Sequence, residues 1–165
     1  MNDRIENTIL NNLFFNEPFT RKTIPFLKET YFTKRDERIL FSEIHKFLHT
    51  YNNLPTKESL SIEINGNKSI NEDEYKQVTD ILSTLNPEPV NIEWLVETTE
   101  KFCKDRSIHN AVLNGIQIID GKDKNHTLEY LPELLSNALS VSFDQKVGHD
   151  YLQESKERFE FYKKK

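Results

Sequence analysis

A chain of 165 residues is long enough for one domain with a real core, or for a small domain with an appended element. Its four glycines argue against sandwiches, barrels and phosphate-cradling loops, and the single Cys103 excludes a disulfide framework or a cysteine metal site. With 22 basic and 27 acidic residues the formal charge is −5, unlike the basic footprint of a stand-alone nucleic-acid binder, and no signal pattern or apolar run marks secretion or a membrane span.

Ile5, Ile9, Leu10, Leu13 and Phe14 recur at helical spacing and predict a first helix over 3–15. Pro18 suits the first turn of a short second helix carrying Ile24, Phe26 and Leu27, and Tyr31 and Phe32 follow in a connection. Asp36 stands where an N-cap would, ahead of the amphipathic stripe Ile39, Leu40, Ile44, Phe47, Leu48 and Tyr51. Asn52-Asn53-Leu54-Pro55-Thr56 reads as a stop and a new start, with Thr56 capping a short helix that bears Leu60, Ile62 and Ile64. A strand over 60–64 would have no partner strand elsewhere. Asn65-Gly66-Asn67 is a turn.

Asn71 and Glu74 form a capping-box pattern that opens a helix with Tyr75, Val78, Ile81, Leu82 and Leu85. Asn86-Pro87-Glu88-Pro89 ends it and is the best candidate boundary in the chain. Asn91 then caps the longest helix, 92–119, along which lie Trp94, Leu95, Phe102, Ile108, Val112, Ile116 and Ile119. Gly121 is its natural stop. Thr127 to about Ala138, with Leu128, Leu131, Leu134 and Leu135, predicts a second helix, so the two form a helical hairpin.

After Gly148, Asp150 caps a last helix that presents Tyr151, Leu152, Phe159 and Tyr162 on one side. That pattern runs into Lys163-Lys164-Lys165 with no Gly, Asn or Pro to end it, and the expectation is a chain cut within it. The basic run itself reads as favourable charge at a helix C-terminus. The fold class is therefore all-α, organised as a head over 1–88, a hairpin over 89–140 and a linker helix over 141–165.

Candidates for chemistry are weak. Gly115 to Gly121-Lys122 imitates a nucleotide-binding loop, but five residues separate the glycines where four are needed, and Asp123 stands where Ser or Thr would hold magnesium. His45 and His49 lie four apart on a helix but lack the intervening Glu and a third ligand of a zinc site. His109, His126 and His149 are isolated, and no Ser or Thr sits in a glycine elbow beside a base. Glu97 and Glu100 with Lys101 and Lys104 read as surface pairs. Arg106, between Phe102 and Ile108, reads either as a solvated surface residue or as half of an ion pair with the hairpin or another subunit. No catalytic, cofactor or metal residue is expected in this chain.

Two stretches carry a family resemblance. One is Trp94-Leu-Val-Glu-Thr-Thr-Glu-Lys101 with Arg106 and Asn110-Ala111; the other is Ala138-Leu-Ser-Val-Ser-Phe-Asp144 with Val147-Gly-His-Asp-Tyr151 and Glu157-Arg158-Phe159. Together they resemble the N-terminal region of replicative helicases of T-even-like phages, in the DnaB family. Tyr31-Phe32, Phe41-Ser-Glu-Ile44, Tyr51 and Pro55 follow the order of that family's head, with Asn11-Asn12 where bacterial relatives carry a Gly.

The resemblance implies a helical head, a hairpin and a linker helix ahead of a RecA-like ATPase, which would hold ATP and magnesium. In this family heads pair through their hairpins, as dimers up to hexamers, and build a collar over a hexameric motor ring. The linker helix docks on a neighbouring motor, and the collar engages primase. By that implication Trp94, Phe102, Arg106, Val112, Ile116, Leu131 and Leu135 are candidates for the subunit interface, and Tyr151, Leu152, Phe159 and Tyr162 for linker docking. The fragment would be non-catalytic, part of an ATP-dependent DNA helicase in the cytoplasm of an infected bacterium. A helicase loader is a further partner of such a collar, DNA contact would be weak, and no membrane is involved. The competing reading is a free-standing phage adaptor, such as a helicase loader or host-interaction protein.

Overall fold

The computed structural model describes residues 3–143, and among these every regular element is helical. They are α1 (Asp3–Phe15), α2 (Glu17–Thr23), α3 (Arg35–Tyr51), α4 (Lys57–Asn65), α5 (Glu72–Thr84), α6 (Ile92–Ile119) and α7 (Leu131–Leu139), with single 3-10 turns between some of them. The all-α expectation holds. The expected linker helix and its Tyr151, Leu152, Phe159 and Tyr162 lie outside the described residues. Among those described, no helix is long and apolar enough to cross a membrane.

Local signals set most helix ends. Thr56 and Ser59 form a reciprocal capping box at α4, and Asn71 and Glu74 form another at α5. The segment 60–64 is thus helix, with Leu60 and Ile64 buried. The Asn91 side chain accepts the Trp94 backbone N–H at 2.9 Å and opens α6. Gly121, at φ +75°, closes it: its N–H reaches Ile118 O and the Lys122 N–H reaches Gln117 O, the paired bonds of a Schellman cap.

Three expectations are corrected. Asp36 is not the N-cap of α3; Lys34 holds that position, extended, and Asp36 lies in the first turn, where its carboxylate accepts the Glu37 N–H at 2.8 Å. An acidic group there still meets the exposed N–H groups and the positive end of the helix dipole. The second helix ends at Thr23, because Pro25 has no N–H to continue it, and Ile24–Phe26 make a 3-10 turn. Pro132 acts likewise in the hairpin: the segment from Thr127 turns as 3-10 over Leu128–Tyr130, and α7 begins only at Leu131.

The chain divides into two compact units between Phe102 and Cys103, inside α6. In the first unit α3 is central and contacts α1, α4 and α5. Ile39, Leu40, Phe41, Ile44 and Leu48 are buried along it. Phe32, fully buried in the connection before α3, stacks on Phe41 at 5.3 Å and meets Phe102 at 5.7 Å.

Polar side chains secure the backbone between these helices. The Asn11 amide pairs with the Asn86 peptide, donating to its carbonyl at 2.8 Å and accepting its N–H at 2.9 Å. Arg21 grips the end of α3 through Asn52 O and Oδ1, and Lys57 donates to Leu85 O at 2.7 Å beyond α5. Most of these bonds satisfy a backbone group left open at a helix end or in a connection.

Two buried carboxyls meet in this unit. Glu6 accepts from the N–H and hydroxyl of Thr33, while burial, the charge of Glu6 and a hydrogen bond to it push Glu37 up to about 8. The folded protein therefore binds a proton there that the unfolded chain releases near the ordinary carboxyl value. This contribution to stability is complete below that value and is lost as pH rises through about 8, by up to about 1.4 kcal/mol per pH unit. Glu37→Gln keeps the donor to Glu6 without the titration. Urea unfolding at pH 5 and pH 7.5 should show the variant gaining on the parent as pH rises.

Candidate interaction surface of the helical hairpin

In the second unit, the later turns of α6 pair with α7. Advancing on α6 from Ser107 to Gly115 retreats on α7 from Ala138 to Leu131, so the helices run antiparallel. The Ser107 hydroxyl reaches Ala138 O at 3.5 Å, and a Cβ placed on Gly115 would lie 3.0 Å from a Leu131 methyl. The side chains along this line of α6 are Cys103, Ser107, Ala111 and Gly115, ending at Ile118, spaced four and then three apart. Short side chains at that spacing let two helices approach closely.

A second apolar stripe on α6 has a different fate. Val112 and Ile116 are 47% and 46% exposed, and Leu113 and Ile119 are exposed beside them. At 100° per residue this stripe lies about a third of a turn from the stripe that meets α7. On α7, Ala138 is buried and Leu131 and Leu134 half-buried, whereas Leu135 (37%) and Leu139 are exposed, as is Leu128 in the turn before it. Both hairpin helices therefore carry apolar side chains beyond those that join them to each other.

The expected interface residues separate accordingly. Val112, Ile116 and Leu135 face outward, and Leu131 spends its side chain on Gly115. Phe102 is 5% exposed and packs on Phe32 within its own unit. Trp94 is 52% exposed on the first unit, and Arg106 is half-buried. Both readings of Arg106 stay open. Residues 115–119 of the loop-like Gly115–Lys122 segment are helix, with Gly115 taken up by packing rather than by a turn.

At the hairpin tip His126, isolated in sequence, joins a cluster. His126 Nδ1 lies 3.0 Å from Asp123 Oδ2, and its ring stacks on Tyr130 at 4.1 Å. The Asn125 N–H and the His126 contact together hold the Asp123 carboxyl below its usual range. The i, i+3 spacing of Asp123 and His126 was the available signal. His45 and His49 are exposed on α3, and no group of three potential metal ligands occurs among the described residues.

The close approach at Gly115 has a direct test in unfolding free energies. Gly115→Ala should change stability little, because a helix-propensity gain of about 1 kcal/mol is offset by displacement of the Leu131 methyl. Gly115→Leu should cost about 2 kcal/mol by forcing α7 away from α6.

No protein-family model matches the chain. Among characterised proteins it is similar to the DnaB-like replicative helicase of Enterobacteria phage T4, at 29% identity over 165 residues. The alignment covers 95% of this chain and 34% of the relative. The chain thus resembles a phage DnaB-like replicative helicase over nearly all of its own length, and spans about a third of that relative's.

Proposed function

We propose that this chain is the non-catalytic collar of a phage replicative hexameric DNA helicase, which assembles with copies of itself through the hairpin and recruits primase. The observation that carries the reading is the outward apolar stripe of Val112, Ile116 and Ile119 with Leu135 and Leu139, on a chain similar to a replicative helicase. Exposed apolar side chains spaced along helix faces in this way mark an interaction surface. Covering each half-exposed Val, Leu or Ile contributes about 1 kcal/mol, so a few such residues per subunit support a reversible dimer. A second hairpin is a suitable cover, because its own stripe is equally apolar and a two-fold contact is self-complementary.

In this reading 1–88 is the head, 89–140 the hairpin, and 141–165 the linker to a RecA-like motor that supplies ATP and magnesium chemistry. Val112, Ile116 and Leu135, with Trp94 and Arg106, form the subunit contact; Tyr151, Leu152, Phe159 and Tyr162 dock on the motor. The whole protein would be an ATP-dependent DNA helicase in the cytoplasm of the infected host, with a loader as a further partner. The acidic balance disfavours strong DNA binding by the collar itself.

Light scattering on the purified chain should reveal dimers or larger rings at high concentration. Ile116→Glu should shift these to monomers while helical circular dichroism is retained. A parent chain that stays monomeric and ignores the cognate primase would overturn the reading.

A further inference from the structure

Glu6 and Glu37 are 0% and 6% exposed, one in the opening turns of α1 and the other in the first turn of α3. Their carboxyls hydrogen-bond each other, which two carboxyl groups can do only with a proton between them. Glu6 also accepts the N–H and the hydroxyl of Thr33, each at 3.2 Å, whereas Oε1 of Glu37 is buried without a partner. The charged groups around the pair do not replace the proton. Arg38 donates to Phe32 O and Thr33 O, and Arg35 donates to Glu74 of α5. Lys34 offsets only part of what burial, Glu6 and Asp36 do to Glu37. Arg4, about 200° around α1 from Glu6, is exposed.

The two ends of α1 are held differently. Its buried apolar residues Ile9, Leu10, Leu13 and Phe14 all follow Glu6, and before it Ile5 is only half-buried. Lifting residues 3–8 away would hydrate both carboxyls without exposing that apolar core. We propose that the proton shared by Glu6 and Glu37 latches the first turns of α1 onto α3, so that residues 3–8 open as a unit, with release of that proton, while the rest of the first unit stays folded. In the open form Glu37 returns to water and to the ordinary carboxyl range; in the closed form it is pushed up to about 8. Opening therefore becomes easier as pH rises from the ordinary value to about 8, by up to about tenfold per pH unit, and levels off above. The latch lies in the first unit and does not depend on self-association through the hairpin.

The test is amide hydrogen exchange of the chain by NMR between about pH 5.5 and about pH 7.5, corrected for the intrinsic rate at each pH. The Asn7 and Thr8 amides bond back into the first turn of α1, and the Thr33 amide bonds to Glu6. All three should lose up to about a hundredfold in protection across this range, with almost no dependence on low urea. The core amides of Ile44 and Val78 should stay far better protected throughout. Glu37→Gln should abolish the dependence on pH. Glu6→Gln removes the like charge but retains an acceptor for Thr33, so it should end the dependence at a lower pH, and it keeps the latch testable if Glu37→Gln disturbs the fold. Protection of residues 7, 8 and 33 that is flat with pH, that falls with urea as steeply as the core, or whose pH dependence is unchanged by both variants would overturn the latch.

Discussion

Helix α7 lies on a line of α6 where the side chains are hardly larger than the backbone. That join, with a Leu131 methyl seated over Gly115, governs what the hairpin can do. The methyl of Leu131 occupies the space that any side chain on Gly115 would need. Because the contacts of this join fall on Ser107 and Gly115, it leaves one bulky apolar stripe of α6 unused. Val112, Ile116 and Ile119 remain on another face, available to something else. A conventional leucine seam would have buried its own large residues and left a polar exterior.

The first unit solves the opposite problem. It packs its bulky residues inward, with Phe32 held between Phe41 and Phe102, and spends polar side chains on the carbonyls that short helices leave open. Asn11, Arg21 and Lys57 each reach across the chain to a helix end or connection. Its acidic groups are the costly part. Glu6 and Glu37 lie together, the nearby charge of Lys34 does not offset their burial and mutual repulsion, and the pair lowers its cost by keeping a proton. Glu43 is eased only through one oxygen, by Asn67.

These two solutions divide the labour. The first unit is rich in buried aromatics and cross-chain hydrogen bonds. A hairpin joined by small residues makes an apolar surface.

The sequence by itself determined the helices and most of their ends. Thr56, Asn71, Asn91 and Gly121 act on backbone groups within a turn of themselves, so their effects are legible in a short window. The bounds of α6 followed from that local chemistry alone. Tertiary structure decided the rest. Phe102 and Ile116 read alike along α6, yet one is sealed against Phe32 and the other faces outward; the difference lies in a residue seventy positions away. Asn11 and Asn86, Arg21 and Asn52, and Glu6 and Glu37 pair over separations that no local window spans. Helix periodicity reveals which residues are apolar. Which of two apolar stripes is covered depends on where neighbouring helices can approach, and here the small side chains on one line of α6 made that choice.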